Sequence, residues 1–154
     1  MANNLVKLAV AVGLVLLASC ASSTHQSDHD QERRAHYAAY AGPPIQEFTW
    51  LGYFDSWEPL GQTDLVVFTT PSDAYLLKVW PPCDLRFASN GRGSETIGVT
   101  STGGTVSAGL DSVIERSPAV GGRTVCPISE IRKLDYRRMV ADKRRQDQAK
   151  NGGG

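Results

Sequence analysis

The amino-acid sequence predicts a mainly β protein: a small antiparallel β sandwich or barrel-like domain with one disulfide, a short N-terminal helix and tether, and a C-terminal helix. Three observations predict it. From Gln46 onward, short β-favouring runs alternate with Gly, Pro, Ser and Asp at the spacing of an all-β fold. The connections between these runs are too short to hold a crossover helix, so neighbouring strands should run antiparallel. Two cysteines, Cys83 and Cys126, lie inside the region.

Residues 1–19 read as a leader that is removed. Lys7 precedes an uncharged apolar run over residues 8–17, the pattern of a signal peptide. The run ends in polar residues from Ser22, short of the roughly 20 apolar residues a membrane-spanning helix needs. Leu17-Ala18-Ser19-Cys20 resembles the lipobox of bacterial lipoproteins, with small side chains before the cleaved bond and a thiol to accept diacylglycerol. Cys20 is therefore the expected lipidation site, and membrane lipid is the expected partner of its acyl chains. Ala21, in place of Asp, resembles the sorting state for the outer membrane. The expected location is the bacterial cell envelope, at the outer membrane facing the periplasm.

Residues 20–44 read as a lipidated tether. Residues 22–30 are polar and lack apolar periodicity, as in a flexible spacer. A short helix is expected over 28–41, with Asp28 as N-cap and Gly42-Pro43-Pro44 as its stop. All three histidines, His25, His29 and His36, fall here. His25 and His29, four apart beside Asp28 and Asp30, could meet a divalent metal on a helix, but solvated tether residues are the simpler reading. No metal and no cofactor are expected.

Residues 45–135 read as one compact β domain, and within it the stretch 48–57 is the most aromatic. Residues 63–70 and 74–80 flank Pro71-Ser72-Asp73 and predict a hairpin. Residues 97–100 and 105–108 flank Thr102-Gly103-Gly104 and predict a second. Residues 113–116 and 124–128 predict a third. Trp80 before Pro81-Pro82 marks a strand end, because proline donates nothing to a ladder. Once Cys20 is acylated, Cys83 and Cys126 have only each other, and in an oxidising compartment they should form a disulfide.

Residues 136–154 read as a basic, helical or disordered tail. Ile131, Leu134 and Val140 recur near helical spacing from Ser129 onward, amid an excess of Lys and Arg. Such a helix could touch anionic headgroups, although a solvated tail is the simpler reading. The formal charge of the whole chain is zero, so no field draws it to nucleic acid.

The ordered set Tyr40-Ala41-Gly42-Pro43, Trp57-Glu58-Pro59-Leu60-Gly61, Leu65-Val66-Val67, Ala74-Tyr75-Leu76-Leu77, Pro82-Cys83-Asp84-Leu85, Asp111-Ser112-Val113 and Cys126-Pro127-Ile128 with Ile131-Arg132 resembles the domain-of-unknown-function family 6491. The likeness covers about residues 37–135. It implies a small secreted or lipidated protein of Gram-negative bacteria and agrees with the Cys83–Cys126 bridge. It implies no catalytic or binding residue.

Chemistry is sparse. A serine or cysteine hydrolase needs a base, and no histidine follows residue 36. Gly91-Arg92-Gly93 lacks the third glycine of a dinucleotide fingerprint. Asp111 reads as a turn residue satisfying a backbone N–H. No catalytic residue is expected, and the chain reads as a non-enzymatic structural or interaction protein with an envelope polymer or a protein as partner. Two alternatives stand beside it. One is a ligand-binding module for an envelope glycan or small molecule, using an aromatic surface of Trp50, Trp57 and Trp80. The other is a hydrolase with a histidine-free site.

Overall fold

The computed structural model describes residues 21–86, 97–117 and 122–152. The leader, Cys20, Gly91-Arg92-Gly93 and residues 118–121 lie outside the described residues. In chain order the elements are α1 (Ala21–Ala38), β1 (Ala41–Ile45), β2 (Glu47–Thr49), β3 (Ser56–Pro59), β4 (Asp64–Thr70), β5 (Asp73–Val79), β6 (Ile97–Val99), β7 (Thr105–Ser107), β8 (Ser112–Ser117), β9 (Gly122–Leu134) and α2 (Tyr136–Asn151).

The strands are antiparallel, as short connections dictate. Seven form a curled, half-barrel sheet in the order β3-β4-β5-β9-β8-β6, with β1 also on β9. β9 makes this possible by its length. Its first half pairs with β8, from Ser112 opposite Pro127 to Ser117 opposite Gly122. Its second half pairs with β5 and with β1. β2 and β7 form a separate ribbon, with Phe48 opposite Val106, and both side chains are buried in the main core.

The central strands are covered on both faces, which is why β4 reads as a continuous apolar run instead of an alternation. Leu65 and Val67 enter a first core with Leu77, Val79, Ile128 and Ile131. Val66, with Phe68 packed against it, enters a second core on the other face with Tyr37, Leu60, Ala74 and Leu134. Each fully buried Leu or Ile contributes about 1.5–3 kcal/mol. The second core is closed by the helices: Tyr37 comes from α1, and Tyr136 and Met139 of α2 pack against it.

The hairpins at 63–80 and 113–128 form as expected, with Val66 opposite Leu76 and Val113 opposite Cys126. The hairpin expected between 97–100 and 105–108 does not form. β6 pairs with β8, and β7 pairs with β2, leaving a single bridge between Thr102 and Thr105 around the glycine turn. The glycine signal marked a real turn, with Gly103 and Gly104 at φ +60° and +79°, but a turn does not select partners for the strands beyond it.

Three further expectations are corrected. The chain is already helical at Ala21, the first described residue, so Asp28 lies inside α1 and the spacer expected at 22–30 is helical. Gly42-Pro43-Pro44 does not merely stop a helix. It lies in β1, on whose length only Ala41, Pro44 and Ile45 find partners in β9, a tolerable place for prolines. Ile131 and Leu134 belong to β9, not to the C-terminal helix, and both are buried. That helix begins at Tyr136, capped by Asp135, whose Oδ1 accepts from the Arg138 N–H at 3.0 Å.

Candidate functional site

The face built by the two helices gathers most of the polar chemistry in the described residues. α1 lies across the sheet with Arg33, Arg34 and Tyr37 turned toward β3 and the start of β4. The Glu58 carboxylate accepts from Arg33 Nε at 2.9 Å, with Arg33 Nη2 closing the fork, and from the Tyr37 hydroxyl at 2.5 Å. Asp64, almost fully buried, accepts from Thr63 Oγ1 at 3.0 Å and faces Arg34 at 3.7 Å. Burial, then the bond to Glu58, holds the Tyr37 phenol well above the usual tyrosine range. The motif Trp57-Glu58-Pro59-Leu60-Gly61 therefore acts as a clasp. Glu58 takes the charge of Arg33, Leu60 is wholly buried beneath it, and Gly61 leaves room for Arg34.

Two hollows flank the end of α1. A groove of about 490 Å³ runs between the helices, with Tyr37, Tyr40, Phe68, Tyr136 and Met139 in its lining and Lys143 at its rim. Phe68 and Tyr136 meet edge to face, ring centroids 5.5 Å apart. A second hollow of about 570 Å³ lies above the sheet, lined in part by Tyr40, Ser72, Lys133, Asp135 and Arg138. Asp73, also in that lining, pairs with Lys133 at 3.1 Å, which holds its carboxyl below the usual range. Tyr40 separates the hollows. Its hydroxyl donates to Asp142 at 3.1 Å, and Arg138 lies over its ring at 5.6 Å.

Cys83 and Cys126 are paired, with Cα atoms 5.7 Å apart, tying the loop after β5 to β9. Trp50 and Trp57 are half-buried against the first core, and Trp50 also packs on Phe54 at 5.8 Å. Trp80, just past the end of β5, is 59% exposed. Asp111 serves as a turn residue: it accepts from the Ser107 N–H and from Thr100 Oγ1, both at 2.8 Å.

His29 and His36 are exposed on α1, while Cys20 and the His25 side chain lie outside what is described. Among the described residues no group of three or more His, Cys, Asp or Glu is placed to hold a metal ion. No helix among them is long and apolar enough to cross a membrane. Sequence reasoning missed the α1 clasp. Its signal was present in Arg33 and Tyr37, four apart and so on one helical face, opposite a lone Glu58 in a strand.

Comparison with curated proteins and with solved structures yields no match. The model of one protein family, described as a family of unknown function (DUF6491), matches residues 1–150. Because that match spans nearly the whole chain, the protein belongs to the family of unknown function DUF6491.

Proposed function

We propose that the chain is a lipid-anchored protein of the bacterial envelope, acylated on Cys20, whose domain acts as a non-enzymatic structural or interaction module at the outer membrane. The observation that carries this reading is the clasp. α1, already helical at Ala21 where the described residues begin, is fastened to the sheet through Arg33, Arg34 and Tyr37. A domain so joined is held close to the bilayer by a stiff element.

Three carboxylates are occupied by structure: Glu58 by Arg33 and Tyr37, Asp64 by Thr63 and Arg34, and Asp111 by a turn. This supports an interaction role over a hydrolytic one. The family match also begins at residue 1, so the leader and Cys20 belong to the matched segment. The partner on this reading is an envelope polymer or protein, and the groove between the helices offers it an aromatic floor.

The test is fractionation of cells making the wild type or Cys20→Ser. Wild-type protein should stay with membranes at high salt and show, by intact mass, diacylglycerol and an N-acyl group on Cys20. A soluble, unmodified wild-type protein would overturn the proposal.

A further inference from the structure

The outward side of α2 carries an arginine stripe. Arg137, Arg138, Arg144 and Arg145 recur at i, i+1, i+7 and i+8, and all four are exposed. Seven residues are just under two helical turns, so the two pairs leave the same side about 10 Å apart along the axis. The other side of α2 turns Tyr136, Met139 and Val140 to the groove beside α1. Two carboxylates of α2 border the stripe, Asp142 and, three residues after Arg144, Asp147. Asp142 pairs with Arg145 and lies 3.9 Å from Arg138, while Arg137 and Arg144 have no ion pair among the described residues.

We propose that this stripe docks the domain on an anionic phospholipid bilayer, the one into which Cys20 is anchored. The inference rests on the anchoring proposed above, which keeps the domain at a lipid surface and makes a weak second contact effective. The charge complementarity is specific. Four arginines and two lysines against two aspartates on α2 give a local positive excess on a chain whose overall charge is zero. Guanidinium groups form paired hydrogen bonds with phosphate oxygens; Arg137 and Arg138 border the hollow above the sheet, while Arg144 and Arg145 stand exposed one step further along the helix, and a row of this length suits a plane of headgroups better than a single small anion. Because α2 is tied to the turn after α1 through Tyr40 and Asp142 at 3.1 Å, docking the stripe would fix the domain's orientation and turn the groove and sheet in a set direction.

The experiment uses the full acylated protein in vesicles, with a fluorophore on Gln148→Cys, a position on the striped side. Vesicles contain phosphatidylcholine alone or mixed with phosphatidylglycerol, plus a trace of nitroxide-labelled lipid as quencher. Quenching is expected only with phosphatidylglycerol, and should disappear near 1 M salt, where the Debye length is about 3 Å. Arg144→Gln with Arg145→Gln should weaken the docking equilibrium about 30-fold, from the usual gain per arginine at a charged surface, while leaving the thermal melt unchanged. Equal quenching in both lipid mixtures, or quenching indifferent to the double variant, would overturn the proposal. So would protection of α2 in native envelopes without any on these vesicles, which would point to an acidic protein instead. Flotation of the protein with vesicles at high salt reports acyl anchoring separately, so failure of the anchor and failure of the stripe are distinguishable.

Discussion

The Tyr37 hydroxyl donates to Glu58 Oε2 at 2.5 Å, joining α1 to β3 across the seam between helix and sheet. Tyr37 is nearly buried, so removing its acceptor leaves a phenol with nothing to donate to in a poorly hydrated place. Glu58→Ala should cost about 2 kcal/mol in urea unfolding and speed amide exchange in α1 ahead of the sheet. Tyr37→Phe should cost less, because Glu58 keeps Arg33. If Glu58→Ala unfolds at the wild-type midpoint, the clasp contributes nothing.

The same pair predicts an alkaline limb of stability. Burial and the bond to Glu58 favour the neutral phenol, so the folded-state pKa of Tyr37 lies above its ordinary value of about 10. The unfolded chain then ionises first as pH rises. The contribution is complete below pH 10 or so and shrinks above it. Tyr37→Phe should flatten that limb, as read from melting temperatures between neutral pH and about 11. On the acid side, Asp73, held low by Lys133, works oppositely, losing its contribution as pH falls through the carboxylate range. Both side chains there are well exposed, so the acid effect should be small.

How much of this was legible beforehand depended on locality. The β4–β5 hairpin was readable because Pro71-Ser72 sits directly between two apolar runs. The β2–β7 ribbon was not, because Phe48 and Val106 are far apart in sequence and only closure of the core brings them together. The tail misled for a physical reason. The ladder between β5 and β9 shifts register where Lys78 faces Glu130 and Val79 faces Ile128, leaving Ser129 as the extra residue. That bulge returns Ile131 to the face of Ile128, and Leu134 then meets the opposite core, so apolar residues fall three apart as they would on a helix. The spacing of Arg33 and Tyr37 marks one face of α1 but not which strand lies beneath it, so the clasp was only half legible.

The disulfide should carry much of the domain's stability. Cys83 and Cys126 are 43 residues apart, and closing a loop of that length lowers unfolded-chain entropy by about 4 kcal/mol at room temperature. A Cys83→Ser, Cys126→Ser double variant should approach that loss in urea melts, as should the wild type under reductant. Alkylation under denaturing, non-reducing conditions should leave both sulfurs unmodified. Ready labelling of both would refute the bridge in the native protein.

Truncation after Asp135 should lower stability without abolishing the fold. α2 buries no residue completely, yet Tyr136 packs edge to face on Phe68, and Met139 lies on the second core. The aromatic pair alone contributes about 0.5–1.5 kcal/mol beyond its area. Tyr136→Ala should reproduce most of the truncation's cost, with the melt still cooperative. A truncated chain that no longer melts cooperatively would place α2 inside the folding unit.

Gly61 and Gly52 offer a paired test of how closely α1 sits. Both have positive φ, +122° and +95°, so alanine strains the backbone at either site by about 1–3 kcal/mol. Their surroundings differ. A Cβ at Gly52 meets nothing within 4 Å, whereas one at Gly61 lies 3.1 Å from Arg34 Nη2 and 3.8 Å from the Asp30 Cβ. The guanidinium is the far end of a flexible side chain and can move away, but moving disturbs its pairing with Asp64. Gly61→Ala should therefore exceed Gly52→Ala by only the worth of that pair, about 0.5 kcal/mol, since Arg34 is partly solvated. In an Arg34→Ala background the excess should vanish, because neither the clash nor the pair remains. An excess that survives Arg34→Ala would mean that the helix backbone itself presses on the Gly61 turn.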